Sequence, residues 1–223
     1  MSILRATWLI LWKDLAIELR TKEILSAMLV FVLLVLVTFN FAFDLRVENV
    51  RAVAPGVLWV AIIFAGMLGI GRSFVAERDR GTLAALLLAP IEREAIFLAK
   101  LLGNCLFMFA MELSALLVFS AFFNLNGFTP WMLLVVALGT IGFAVIGTLF
   151  AAVAAHTRAR EVMLPVLLFP VIVPVVLGAV KATGALLSAP ADGEHLLWVQ
   201  LLVVFDMIFL VLSFSVFNFV IEE

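Results

Sequence analysis

Two acids stand inside otherwise apolar runs, Glu112 in MFAMELSALLVF and Asp206 in VVFDMIFL. An ionisable side chain deep in hydrocarbon is costly, so each marks a candidate functional position or a polar contact between helices. Three states are open to them: ionised toward a wet cleft, protonated by burial, or paired with another subunit. A second concentration of chemistry is the stretch 77–100, ERDRGTLAALLLAPIEREAIFLAK, the densest charge in a chain that is only 13% charged. Its apolar core, 83–89, is too short to cross a bilayer and is stopped by Pro90. It is therefore expected to lie on a membrane, with Gly81 as a turn, Thr82 as an N-cap, and Leu83, Leu86 and Leu87 on one helical face over about 82–89. Such a short amphipathic helix between two spans suits docking to a soluble partner.

Other chemistries find no residues to carry them. No Gly-Lys pair precedes a Ser or Thr, so no phosphate-wrapping loop is encoded, and the cluster Gly66, Gly69, Gly71 has the spacing of helix packing. If ATP drives this protein, another chain binds it. There is no G-x-S-x-G and no H-E-x-x-H, and His156 and His195 are expected on opposite membrane faces, so no metal site is expected. His195, near Trp198, reads as an interfacial histidine, with haem ligation the sharper alternative. Cys105, the single cysteine, reads as a buried structural thiol. A net charge of -2 without a basic arm argues against nucleic acid as a partner.

The elements that must hold these residues are membrane spans. Hydrophobic residues make up 66% of the chain, and the mean hydropathy is +1.27. No interval between apolar runs is long enough for a separate soluble core. The expectation is one all-α membrane domain over 1–223, with spans near 24–43, 55–75, 96–123, 131–155, 162–180 and 196–221. Residues 1–23 mix charge with an apolar stripe, Leu4, Trp8, Leu11, Trp12, Leu15 and Leu19, which predicts an interfacial helix rather than a cleavable signal. Ala61, Ala65, Gly69 and Ser73 form a small-residue strip on the second span, as do Gly147, Ala151 and Ala155 on the fourth. Thr129, Pro130 and Trp131 read as N-cap, first helical residue and interfacial anchor.

In the fifth span Pro165, Pro170 and Pro174 each remove a backbone donor, at about 3 kcal/mol in a regular helix, which predicts a kinked or split element. The run 182–189 is then expected as a separate small helix at the outer leaflet. Orientation follows from Lys and Arg. A cytoplasmic N-terminus places four (1–23), five (72–100) and two (Arg158, Arg160) inside against three outside, eleven to three. Both termini and the stretch 77–94 are therefore expected to be cytoplasmic.

ERDRGTLAALLLAP followed by Lys100, the proline-punctuated LPVLLFPVIVPVVLGAVKAT, and FDMIFLVLSFSVFNFVIEE occur in this order across six predicted spans. In these features the chain resembles the haem exporter B (CcmB) family, membrane subunits of the ABC complex of system I cytochrome c maturation. The resemblance covers essentially the whole length. It implies an ABC-2 type transmembrane domain of six helices and an N-terminal interfacial helix. It further implies a homodimer in the bacterial inner membrane, seated on two copies of an ABC ATPase that binds the ATP. A haem-handling membrane partner with a tryptophan-rich loop and, indirectly, a periplasmic haem chaperone complete the implied complex.

Glu77, Arg80, Gly81, Thr82, Leu83, Leu86, Leu87, Pro90 and Lys100 are then the expected ATPase-coupling residues. The implied activity is haem export, or release of a haem-loaded chaperone, by a non-catalytic permease subunit. The small number of polar pathway residues favours mechanical coupling. Two alternatives remain: an ABC-2 exporter of lipid, drug or polysaccharide, and an intramembrane enzyme using Glu112 or Asp206 as proton carrier.

Overall fold

The computed structural model describes residues 2–43, 50–79, 82, 86, 88–125, 127–155, 157, 160–188 and 193–222. Seven helices follow in order: α1 (Ile3–Thr21), α2 (Glu23–Phe43), α3 (Val50–Asp79), α4 (Arg93–Phe123), α5 (Pro130–Ala155), α6 (Arg160–Ser188) and α7 (Glu194–Glu222). Among the described residues there is no strand. The last six helices are long and apolar enough to cross a bilayer, and the chain is a multi-pass membrane protein. Alternation of the spans puts α1, the start of α2, the end of α3, the start of α4 and the C-terminal end of α7 on one face, called basal below.

Packing sorts the helices into centre and rim. Buried residues make up 67% of the apolar window of α3 and 61% of that of α5, against 17% for α2, so α3 and α5 are the interior pair. Small residues let this happen. Gly139 leaves room for the Trp59 ring, Gly147 for Ile70, Gly66 for Met108 and Phe143, and Gly69 for Met28. The two predicted small-residue strips thus face neighbouring helices, as close helix approach requires. At the far end of α5, the Met132 amide donates to Thr129 Oγ1 at 3.2 Å, the N-cap bond the Thr-Pro-Trp signal predicts.

Three boundaries differ from expectation. Pro55 does not open the second span, because α3 begins at Val50 with Pro55 inside it. The bond that this proline removes would have ended on the carbonyl of Arg51, an exposed residue at the helix end, where the loss is small. The fifth span is not split: α6 is one helix from Arg160 to Ser188 with all three prolines inside. Their spacing of five and four residues deletes isolated rungs of the hydrogen-bond ladder and leaves the neighbouring rungs in place. In consequence, the run expected as a separate small helix over 182–189 is the last part of α6 through Ser188.

α1 lies against α4 with Ala6, Thr7, Ile10 and Leu11 buried. Leu4, Trp8, Trp12 and Leu19 stay exposed, with Trp8 and Trp12 stacked at 6.4 Å. The predicted stripe therefore divides: Leu11 seals the helix to the bundle while the tryptophans form an outward apolar edge suited to lipid. Glu18 joins α1 to α2, its Oε1 accepting from the Leu25 amide at 2.8 Å, which satisfies an otherwise orphaned donor at the helix start. Lys22 makes the turn in the left-handed region, φ 52°.

Candidate functional site

Polar groups inside the bundle gather around α5. Thr148 Oγ1 accepts from Asn104 Nδ2 of α4 at 2.9 Å, both buried. Two turns farther from the basal face, Thr140 Oγ1 lies 2.6 and 2.7 Å from the two carboxyl oxygens of Glu112 and 2.8 Å from the Val136 carbonyl. One hydroxyl proton thus faces three acceptors. The count closes when the carboxyl brings a proton of its own, donating to Thr140 while Thr140 donates to Val136. Glu112 is 1% exposed, so water does not make up the difference from outside.

Asp206 of α7 approaches the other side of α5. Gly142 makes the approach possible: a Cβ there would lie 2.5 Å from Asp206 Oδ1 and 3.0 Å from a methyl of Val175 on α6. Neither Asp206 oxygen has a hydrogen-bond partner among the described residues, and the same holds for the buried Ser213 hydroxyl. Thr140 and Gly142 sit ten and twelve residues into α5, and Asp206 twelve residues into α7, about 15 and 18 Å along their helices. The two acids therefore flank α5 at one depth near the middle of a roughly 30 Å hydrocarbon core. Cys105, on the same helix as Glu112, is a buried free cysteine.

This arrangement holds and orients carboxyl groups but offers them little to act on. Among the described residues no three potential metal ligands gather. Trp59, also fully buried, spends its one donor on Thr183 Oγ1 at 3.0 Å, tying α3 to α6. His195 is buried at the far face with its ring edge-on to Trp131, centroids 4.9 Å apart; Trp131 rather than Trp198 is the aromatic partner seen.

The second candidate region is basal. Glu77 falls in the last turn of α3, while Arg80, Gly81, Leu83 and Leu87 lie outside the described residues. Thr82, Leu86 and Leu88 are helical. Leu86 is half-buried against the core, whereas Leu88 is 87% exposed and Pro90 is exposed. Leu88 was not singled out by the leucine periodicity, which favoured the face of Leu83, Leu86 and Leu87. Lys100 is not at the surface with these residues. It is 3% exposed, and its Nζ meets Asp14 Oδ2 of α1 at 2.8 Å, with Lys13 3.2 Å from the other oxygen. The predicted site residues thus separate into a basal segment, an ion pair beneath α1, and two acids about α5.

The family model for the CcmB protein matches residues 5–221, nearly all of the bundle and every group of site residues just described. The chain belongs to the CcmB protein family. Among its relatives, heme exporter protein B of Pseudomonas aeruginosa is 28% identical over 195 residues, covering 85% of this chain and 86% of the relative. Heme exporter protein B of Paracoccus denitrificans is 29% identical over 175 residues, 78% and 80% of the two chains. That of Bradyrhizobium diazoefficiens is 26% identical over 179 residues, 80% and 81%. The CcmB family model thus extends across nearly all of the chain, and the three relatives named cover 78–85% of it.

Proposed function

We propose that this chain is the membrane subunit of an ABC complex for c-type cytochrome biogenesis, an inner-membrane protein with both termini cytoplasmic. A separate ATPase pair supplies the work, and haem is the substrate of the complex rather than a resident cofactor. The observation that carries this reading is the basal segment. α3 continues past its apolar window at Ser73 to Asp79, helical residues follow at Thr82, Leu86 and Leu88, and α4 begins at Arg93. Leu86 packs back on the bundle while Leu88 projects, which offers an apolar side chain at the basal end for a soluble partner to grip.

Force applied there enters α3 and α4 together, and both pack against α5. Mechanical coupling, ending in release of a haem-loaded periplasmic chaperone, is favoured over passage of haem through one protomer. The support is that glycines in α3 and α5 are filled by Met28, Trp59, Ile70, Met108 and Phe143, which leaves the protomer interior closely packed. A second copy of the chain and a haem-handling partner with a tryptophan-rich loop complete the assembly.

The test is affinity purification in mild detergent of the tagged chain and of Leu88→Asp. The native chain should bring an ABC ATPase with it, and the variant should lose most of that ATPase while keeping its own thermal midpoint. Undiminished ATPase recovery with Leu88→Asp would place the docking surface elsewhere, and a companion other than an ATPase would remove the reading.

A further inference from the structure

α1 is fastened to α4 at three successive points. Thr7 Oγ1 donates to the Ala95 carbonyl at 3.4 Å, Asp14 meets Lys100 at 2.8 Å, and a methyl of Leu11 lies 3.6 Å from where a Cβ would stand on Gly103. From Ala95 to Gly103 is about 12 Å of helix, within the first three turns that follow the basal segment. α1 thus rides on the end of α4 to which that segment leads.

The other end of α1 is locked to α2, and the lock depends on one side chain. Lys22, in the capping position before α2, has no side-chain acceptor to offer the helix start. Glu18 supplies it from the preceding helix: it is 6% exposed, and its Oε1 accepts from the Leu25 amide at 2.8 Å. Between them the Lys22 amide donates to the Glu18 carbonyl at 2.6 Å and the Ser26 amide to the Lys22 carbonyl at 3.1 Å. Lys22 holds a left-handed backbone, which a residue other than glycine keeps only where its surroundings fix it. Beyond this elbow α1 leans on α4 and hardly touches α2.

We infer that Glu18 is a positioning residue of the coupling pathway: through it, α1 carries a displacement of the basal end of α4 to the first turn of α2. α3 reaches α2 directly, where Met28 packs on Gly69, so both helices that flank the basal segment converge on the start of α2. The role in coupling rests on ATPase docking at that segment, whereas the mechanical link is a property of the chain alone.

The purified full chain in detergent is followed by hydrogen exchange with mass spectrometry over residues 23–27. Glu18→Gln keeps an acceptor for Leu25 and should exchange within about twofold of the native chain, whereas Glu18→Leu should speed exchange there roughly tenfold or more. Lys100→Met, which loosens α1 from α4, should speed exchange over 23–27 about threefold or more while Glu18 is present, and less than about twofold when added to Glu18→Leu. Thermal midpoints report that each variant is folded. Native exchange in Glu18→Leu would overturn the assignment, as would a Lys100→Met effect over 23–27 that is missing with Glu18 present or undiminished with Glu18→Leu. No partner enters the experiment, so the link is judged apart from the docking reading, which stands or falls on recovery of an ATPase with the native chain.

Discussion

The ion pair beneath α1 allows a quantitative test of what holds that helix to the bundle. Lys100 Nζ and Asp14 Oδ2 are 2.8 Å apart, with side chains 3% and 14% exposed. At an effective dielectric of 20, unit charges at that distance attract by about 6 kcal/mol before desolvation. Close charge pairs shielded from water retain coupling of roughly 1.5–7 kcal/mol in double-mutant cycles. Desolvating the ammonium at 3% exposure takes back part of the attraction, so a coupling of about 2–3 kcal/mol is expected here. Lys100→Met leaves Asp14 beside Lys13 at 3.2 Å, so it should cost less than Asp14→Leu, which withdraws a carboxylate from a buried cation. The assay is reversible denaturation in mixed micelles of the native chain, both single variants and the double variant. A coupling below about 0.5 kcal/mol, the range of exposed pairs, would refute the reasoning and leave apolar packing of Ala6, Ile10 and Leu11 as what anchors α1.

Two further substitutions probe the interior. Gly139→Ala drives a methyl into the Trp59 ring, which is buried and tethered to Thr183; a loss of about 1–3 kcal/mol is expected from overpacking. Adding Trp59→Phe should make that loss smaller, as read from unfolding midpoints, and a neutral Gly139→Ala would contradict the packing described. Glu112→Gln keeps a donor for Thr140 and should cost less than about 1 kcal/mol, whereas Glu112→Ala opens a cavity and should cost about 2–4 kcal/mol. Equal losses in micelle denaturation would show that the carboxyl does not act as the donor.

Much of this architecture is written in local pattern. Six apolar runs of spanning length, the Thr129 cap and the small-residue strips can all be read within single helices, because each depends on neighbours no more than a few residues away. Glu112 and Asp206 were conspicuous for the same reason, as charges in apolar runs. Their surroundings were not. That Thr140 meets one acid and Gly142 admits the other depends on how α5 is rotated against α4 and α7, which no single-helix period encodes.

The Asp14–Lys100 contact spans 86 positions, and Lys100 by type and location looked like one more basic residue of the basal segment. The prolines of α6 predict a kinked or split element, and the element is one helix rather than two. Counted one at a time each is a helix breaker, but the ladder around them survives because no two adjacent rungs are missing.

That surviving ladder has a mechanical corollary. The carbonyls of residues 161, 166 and 170 have already lost the donors that would have stiffened the helix at those points. Bending α6 there breaks no rung that was ever made, whereas α5 has no proline beyond its first residue and loses no interior rung to one. The helix with the missing rungs is joined to α3 by the Trp59–Thr183 bond, so bending of α6 and movement of α3 are linked at that point.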